Sequence, residues 1–255
     1  MDIEELMDRA WPAPEREDSG GWVLRAARGV TQRANSVWPR ESVEDHGAAL
    51  RMATEWYRSR RLPLIFQVFV GSRSAALNTA LDVQGFTRQS ETLIMVSRDP
   101  SPKLGDGNSD APTTAIEIGD EPSEEWLRLW WSVDGRGGDA ELDVARSILT
   151  GCPSLYALVR DDDGDPAAVG RLAMVDGKGG IYCMATHAWR RRRGYAGRVL
   201  DALMAAGRDR GLEEFWLLVM ASNAGARSLY EGAGFEEHGR YLYRQARPRR
   251  SLSGC

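Results

Sequence analysis

Positive charge is not in excess in this chain. Its 33 Lys and Arg stand against 37 Asp and Glu, a formal net charge of −4, which excludes clinging to nucleic acid through overall charge. Cysteine and histidine are scarce, three of each in 255 residues. Cys152, Cys183 and Cys255 are odd in number and unpatterned, which argues against a disulfide framework. His46, His187 and His238 show no metal-ligand spacing. The expected metal is therefore none, and the expected setting a reducing cytoplasm. Long apolar runs are missing as well. LIFQVFV and FWLLVM are far too short to span a bilayer, and the opening MDIEELMDRAWP lacks the basic and apolar regions of a signal peptide. With 42% apolar residues the chain can still bury one large core or two modest ones.

What is present divides in two. Residues 1–18 read as a short helix and a proline-rich connector, because WPAP stops a helix. WVLRAA and VTQRANSVWP read as two strands joined tightly near Arg28 and Gly29. Residues 45–60 place Ala49, Met52, Ala53, Trp56 and Tyr57 on one helical face. Pro63 ends that helix, LIFQVFV is a buried strand, 74–84 is a second helix closed by Gly85, and a strand centred on TLIMVS follows. Residues 99–114 are rich in Pro, Gly, Ser and Asp without apolar periodicity, the mark of a linker. Beyond it come the strand AIEI and helices at 123–133, N-capped by Ser123, and at 139–149. The strands SLYALVR, AAVGRLAMV and GIYCMAT follow, divided by the turn signals DDDGDP and DGKGG, and YLYRQAR is the last strand. The expected boundaries are 1–98, 99–114, 115–247 and a frayed tail at 248–255.

The stretch around which the rest is organised begins THAWRRRRGYAG. Its key spacing is Arg191-x-x-Gly194-x-Ala196, followed by Gly197. Gly194 can take positive φ and let its backbone approach a ligand closely. Small residues at Ala196 and Gly197 leave the first helical turn uncovered, so its unpaired N–H groups and positive dipole end favour an anion. Arg190 to Arg193 add full charges, and a diphosphate is the natural guest. The competing reading is a solvated basic run or a nucleic-acid patch.

Both halves also run helix, buried strand, helix, Gly-Phe and strand, with the Gly-Phe at 85–86 and 234–235, which reads as an internal duplication. Where the second half has Arg190 to Gly194, the first has PRESVEDHG, whose Glu41, Glu44 and Asp45 would repel a diphosphate. Where the second has Tyr230, the first has Leu81. The first copy is therefore expected to have lost its ligand and chemistry, and to shape the substrate cleft of the second.

Arg191-x-x-Gly194-x-Ala196, joined to Asn223-x-x-Ala226-x-x-x-Tyr230-Glu231-x-x-Gly234-Phe235, resembles the GNAT superfamily of acyl-CoA-dependent N-acetyltransferases. The whole chain resembles a tandem GNAT protein with a degenerate first repeat. The resemblance implies an α/β (α+β) fold of two tandem GNAT-like domains, each a mixed, mostly antiparallel sheet flanked by helices. It also implies a sheet that splays between GIYCMAT and FWLLVM to admit the pantetheine arm of acetyl-CoA. On the same ground, cofactor contacts are expected from the backbone of Met184, Ala185 and Thr186. A pyrophosphate turn formed by Arg191, Arg192, Arg193, Gly194, Tyr195, Ala196 and Gly197 is expected too, and a contact from Asn223, although Asn equally suits a helix N-cap. Tyr230 is the expected general acid for the departing thiolate, set against the commoner fate of a core tyrosine.

The strand carboxylate that many members use as general base is missing, since GGIYCMATH holds no acid. His187, Tyr182, Glu124, Glu125, Asp134 or a water are the alternatives, as is a reaction that needs no base. Cys183 reads as a small buried strand hydrophobe, and Trp130 and Trp131 read as core before amine pocket. Asn35 and Trp38 are candidates to face a shared cleft. The expected function is transfer of acetyl from acetyl-CoA to a primary amine of a small molecule or amino acid, by direct attack in a ternary complex. The alternatives are a non-catalytic acyl-CoA-binding or sensing module, a protein lysine acetyltransferase, and a nucleic-acid binder. The expected partner is a small-molecule amine, with a homodimer allowed, and neither nucleic acid nor a membrane.

Overall fold

The computed structural model describes residues 2–71, 74–98 and 116–246. The expected linker at 99–114 and tail at 248–255 lie outside the described residues. Among the described residues no helix is long and apolar enough to cross a membrane. The chain forms two compact units that are not consecutive stretches: Met1–Pro12 with Leu93–His238, and Ala13–Thr92 with Gly239–Cys255. These units differ from a linear division of the chain at its middle.

In the unit built on Ala13–Thr92, β1 (Glu15–Ser19) and β2 (Trp22–Ala26) form an antiparallel hairpin from Glu15↔Ala26 to Ser19↔Trp22. It turns at Gly20 and Gly21, both at positive φ. This corrects the reading of the segment after WPAP as a connector. β1 is exposed nearly throughout, so no apolar alternation announced it. The strand expected over VTQRANSVWP shrinks to β3 (Trp38–Pro39), antiparallel to β2. The loop before it is pinned by Asn35, whose Oδ1 accepts from the N–H of Ala27 and Gly29 at 2.9 Å. Asn35 Nδ2 donates to the carbonyls of Val30 and Thr31 at 2.7 Å. Asn35 and Trp38 are both 2% exposed, so neither presents a side chain to a cleft.

α2 (His46–Ser59) begins at Asp45, whose carboxylate accepts from Ala48 N–H at 2.9 Å, and buries Leu50, Ala53, Trp56 and Tyr57. It is followed by β4 (Ile65–Phe69), α3 (Ala75–Val83) and β5 (Thr87–Ser97), whose Thr87–Thr92 portion belongs to this unit. Its remaining strand comes from the far end of the chain. β11 (Glu236–Gln245) runs antiparallel to β4, from Tyr241↔Phe69 to Gln245↔Ile65. Arg244 on it is fully buried and donates to Asn78 Oδ1 at 2.9 Å, to the Phe86 carbonyl at 3.1 Å and to Asp82.

The other unit starts with α1 (Ile3–Ala10), which buries Ile3, Leu6, Met7 and Ala10. After β5 come β6 (Ile116–Gly119), α4 (Glu124–Asp134), α5 (Asp139–Leu149), β7 (Ser154–Arg160), β8 (Pro166–Val175) and β9 (Lys178–Thr186). α6 (Tyr195–Arg208), β10 (Glu214–Met220) and α7 (Ala224–Gly232) complete it. Within this unit the strands lie in the order β5-β10-β9-β8-β7-β6. β6 to β9 are antiparallel neighbours, and β9 and β10 are parallel. One core holds Leu155, Ala157, Leu172, Ile181, Phe215 and Leu217 with Val199, Leu200 and Leu203 of α6, and Leu93 and Met95 of β5 join it. Each such side chain contributes about 1.5–3 kcal/mol when fully buried. α4 packs against β8 and β9. Ser123 caps it through Trp126 N–H at 3.1 Å, as its sequence predicts, and the Trp126 indole donates to the carbonyls of Ala157 and Gly170. α1 contributes the Ala10 carbonyl to the buried Arg171 at 3.0 Å, and the adjoining Trp11 ring lies 5.6 Å from Tyr182.

The two Gly-Phe positions are built alike. Gly85 has φ +73 and Gly234 φ +84. Phe86 N–H bonds the Leu81 carbonyl, and Phe235 N–H the Tyr230 carbonyl, both at 3.0 Å. Leu81 and Tyr230 thus hold the same station in their respective units, at helix ends closed by a left-handed glycine.

Candidate active site

β9 and β10 run in register from Glu214↔Lys178 to Leu217↔Ile181, and their pairing ends there. β9 nevertheless continues to Thr186 and β10 to Met220. Two parallel strands that stop bonding part-way leave a gap at their C-terminal ends, where open α/β sheets bind ligands. Met184, Ala185 and Thr186 lie along that unpaired length.

On its other edge β9 slips against β8. Arg171 faces Tyr182, yet Val169 faces Ala185. The extra residue is absorbed at Cys183, which sits at φ +55, forming a β-bulge of the kind that re-aims a strand beside a site. Cys183 is therefore a half-exposed bulge residue and not a buried strand hydrophobe. No Gly or Asn marked the position, so sequence reasoning missed it. Gly170 makes the bulge sterically feasible. A Cβ there would meet Met184 Sδ and Val199 Cγ1 at 2.6 Å. The Met184 side chain is thus turned toward α6, and its main chain is what can face the gap.

The absent strand carboxylate also has a physical reason. A Cβ on Gly180 would lie 2.5 Å from Trp216 Cζ2 and 2.6 Å from Tyr182 Cε2. Two rings fill the volume an acid would need. Trp216 Nε1–H donates to the Tyr182 hydroxyl at 3.1 Å, and Tyr182 is 5% exposed, so Tyr182 serves the packing and is not an accessible base.

Past Thr186 the chain makes a short 3-10 turn, Ala188–Arg190, then Arg191–Gly194, then α6. Arg192 has φ +64 and Gly194 φ +80. Nothing lies within 4 Å of the place a Gly194 Cβ would take, so glycine answers both the left-handed turn and the open approach. The first bond of α6 runs from Arg198 N–H to the Gly194 carbonyl at 3.1 Å. The N–H groups of Tyr195, Ala196 and Gly197 precede it and are orphan donors, and Gly194 provides no side-chain cap. α2 and α7 differ, since their first turns are capped by Asp45 and Asn223.

The arginines divide. Arg190 is bound to Asp161, with Asp163 and Asp165 near it, and braces the β7–β8 turn. Arg191 is exposed, with Nε–H 3.5 Å from the Thr186 carbonyl, and Arg192 and Arg193 are exposed beside it. The Tyr195 ring is buried at 7% exposure, which leaves only its main chain to face outward. Asn223 caps α7 through Ala226 N–H at 3.2 Å, the second of the roles its position suits. The His187 ring lies tilted against Trp189, with centroids 5.0 Å apart.

Tyr230, on α7, is 7% exposed. Burial pushes its phenol up to about 12, and the nearby Asp134 carboxylate pushes the same way, so it is a protonated donor at neutral pH. Asp134 ends α4. The residue is exposed as a whole, but crowding by protein raises its carboxyl above the ordinary range, against a hydrogen bond from Trp130 and the charges of Arg191 and Arg136. Glu124 and Glu125 stand at the other end of α4. Arg146 and Arg160 hydrogen-bond to them and hold their carboxyls low. Trp130 is core, at 4% exposure. Asp134 thus lies within electrostatic range of Arg191 and Tyr230, whereas Glu124 and Glu125 stand on outer ion pairs.

A bulged strand parting from its parallel neighbour, with an uncapped helix start behind it, is GNAT architecture, and the protein is an acyltransferase of the GNAT N-acetyltransferase class. Within that class, the family described as "Probable histone acetyltransferase Rv0428c C-terminal" matches residues 2–244, and the chain belongs to that family. It is 27% identical over 244 residues to the uncharacterized N-acetyltransferase YobR of Bacillus subtilis, covering 95% of this chain and 96% of that one. It is 38% identical over 181 residues to the mycothiol acetyltransferase of Clavibacter michiganensis, covering 66% of this chain and 56% of that one. The structure of a GCN5-related N-acetyltransferase from Kribbella flavida has the same fold, with a TM-score of 0.70 at 16% identity over 96% of this chain and 94% of that one.

Proposed function

We propose that the protein moves an acetyl group from acetyl-CoA to the primary amine of a small molecule or amino acid, by direct attack with both substrates bound. The observation that carries this reading is the uncapped start of α6 beside the β9–β10 gap. Three orphan amides, a left-handed Gly194 under open space, and the exposed Arg191, Arg192 and Arg193 make a cradle for paired phosphoryl groups. A pantetheine arm leading from it would run along Met184, Ala185 and Thr186 as an added strand, with Asn223 across the gap. A main-chain N–H on that edge would stabilise charge growing on the thioester oxygen. The Tyr230 hydroxyl would donate to the departing sulfur. Its phenol, near 12, is a weaker acid than a thiol of about 8.5, so its own contribution is a hydrogen bond more than a free proton.

The other unit is read as a degenerate repeat that has lost acyl-CoA. Asp45 covers the first-turn amides of α2, and Leu81 stands where Tyr230 does. The family's description as a probable histone acetyltransferase makes a protein lysine the second acceptor reading, and the same site chemistry would serve it. The test is thermal unfolding with acetyl-CoA. At a hundredfold excess over Kd the chain should gain about 2.7 kcal/mol, and the double variant Arg192→Glu, Arg193→Glu should weaken binding about tenfold or more. No shift for the wild-type chain would end the proposal. Thiol release over a panel of small amines and lysine peptides then chooses the acceptor.

A further inference from the structure

One side chain next to the arginine run is out of keeping with the others of its kind. Of nine tryptophans, seven are 9% exposed or less and Trp131 is half-buried, whereas Trp189 is 74% exposed. An indole left in water forgoes most of the free energy that its burial would bring. We propose that Trp189 is the platform on which the adenine base of acetyl-CoA stacks, so that it selects a nucleotide-bearing acyl donor; this rests on the acetyl-transfer reading above.

Trp189 sits in the 3-10 turn Ala188–Arg190, between the unpaired end of β9 and the start of α6. Both of its flanks are tied down. His187 N–H bonds the Ala167 carbonyl of β8 at 2.9 Å, and Arg190 N–H closes the turn onto the His187 carbonyl at 2.9 Å. The Arg190 guanidinium is bound to Asp161. The Trp189 ring leans on His187, with centroids 5.0 Å apart and planes at 60°, and the rest of its surface is open. A tryptophan has only two side-chain torsions to fix, so a ring mounted this way takes a ligand at low entropy cost.

The position selects the group that the ring can meet. Trp189 is two residues before Arg191, a chain distance of at most about 7 Å. Arg191 Nε–H in turn lies 3.5 Å from the Thr186 carbonyl at the end of β9. The exposed indole therefore stands beside the turn that leads to Gly194 and the orphan amides of α6. From a diphosphate held there, the pantetheine arm and the acetyl group lead inward along β9. The adenosine leads outward, with its base one ribose away. Adenine is the one aromatic group of the donor, and base–aromatic stacking needs no hydrogen-bond partner from the protein. The exposed Arg191, Arg192 and Arg193 answer charge alone and do not distinguish a nucleotide from any other diphosphate. A flat apolar surface beside them does.

The test measures coenzyme A binding to the whole chain by calorimetry, for the wild type and two variants. Trp189→Ala should weaken binding about tenfold, and Trp189→Phe, which keeps an aromatic face, should recover most of that loss. Because the ring is exposed, both variants should melt with the wild type when no ligand is present. Coenzyme A should also quench indole fluorescence in the wild type, and that quenching should be absent from Trp189→Phe, whose other tryptophans are unchanged. A stacked base produces this quenching, whereas an indole that merely braced the turn would not. Unchanged affinity in Trp189→Ala overturns the assignment. So does equal weakening in both variants, or quenching that survives in Trp189→Phe. A wild-type chain that does not bind coenzyme A or acetyl-CoA removes the acetyl-transfer reading itself, and the assignment falls with it.

Discussion

Tyr230 illustrates how little a residue type says without its surroundings. On sequence it is one tyrosine of an amphipathic helix, as apt for a core as for a site. In the fold it is buried, pushed up to about 12, and neighboured by Asp134. Those two facts define a hydroxyl that stays protonated at neutral pH and keeps its capacity to donate. Tyr230→Phe should lower turnover about tenfold to a hundredfold while the acetyl-CoA thermal shift changes by less than the scatter between repeats; unaltered turnover would remove Tyr230 from the mechanism. Gly180 makes the complementary point. Its glycine is required by Trp216 and Tyr182, so the missing strand acid is a packing outcome and says nothing against catalysis.

At the scale of elements, strands whose apolar residues alternate or run together were legible, and exposed or shared ones were not. β4, β7, β8 and β10 follow their apolar patterns, whereas β1 is a polar hairpin arm that only its pairing with β2 reveals. β11 is the more consequential case. Its sequence reads as a last strand, but its partner β4 lies far upstream, and a ladder between distant segments leaves no local trace. Arg244 fixes that ladder to α3 through Asn78 and Asp82. Removing its guanidinium takes the donor from the half-buried Phe86 carbonyl and Asn78 and leaves a gap where the buried Arg244 stood, while the half-exposed Asp82 is partly rescued by water. Arg244→Met is accordingly expected to cost about 2–3 kcal/mol, read as a lower urea midpoint at unchanged slope. A midpoint within error of the parent chain would show that this buried contact contributes nothing net.

For the whole molecule, each compact unit is assembled from two separated stretches. The linear boundary at 115 would therefore cut the unit that holds the β9–β10 gap away from α1 and from the Leu93–Ser97 portion of β5. A fragment spanning 115–247 loses Leu93 and Met95 from the core and the Ala10 carbonyl from the buried Arg171. It should unfold without a cooperative transition, and calorimetry showing a sharp parent-like peak would refute this.

The sequence by itself determined the helix cap at Ser123, the cap that Asn223 could equally make, the helix-ending Gly85, the positive-φ Gly194 and the arginine-flanked entry to α6. These are local matters, settled by φ preferences and by which amides a nearby side chain can reach. Only the tertiary structure decided that Arg190 braces a turn, that Cys183 carries a bulge, that Trp216 and Tyr182 fill the place of a strand acid, and that Tyr230 is buried. Each of those depends on contacts between segments many residues apart, and such contacts exist only once the sheet has set their register.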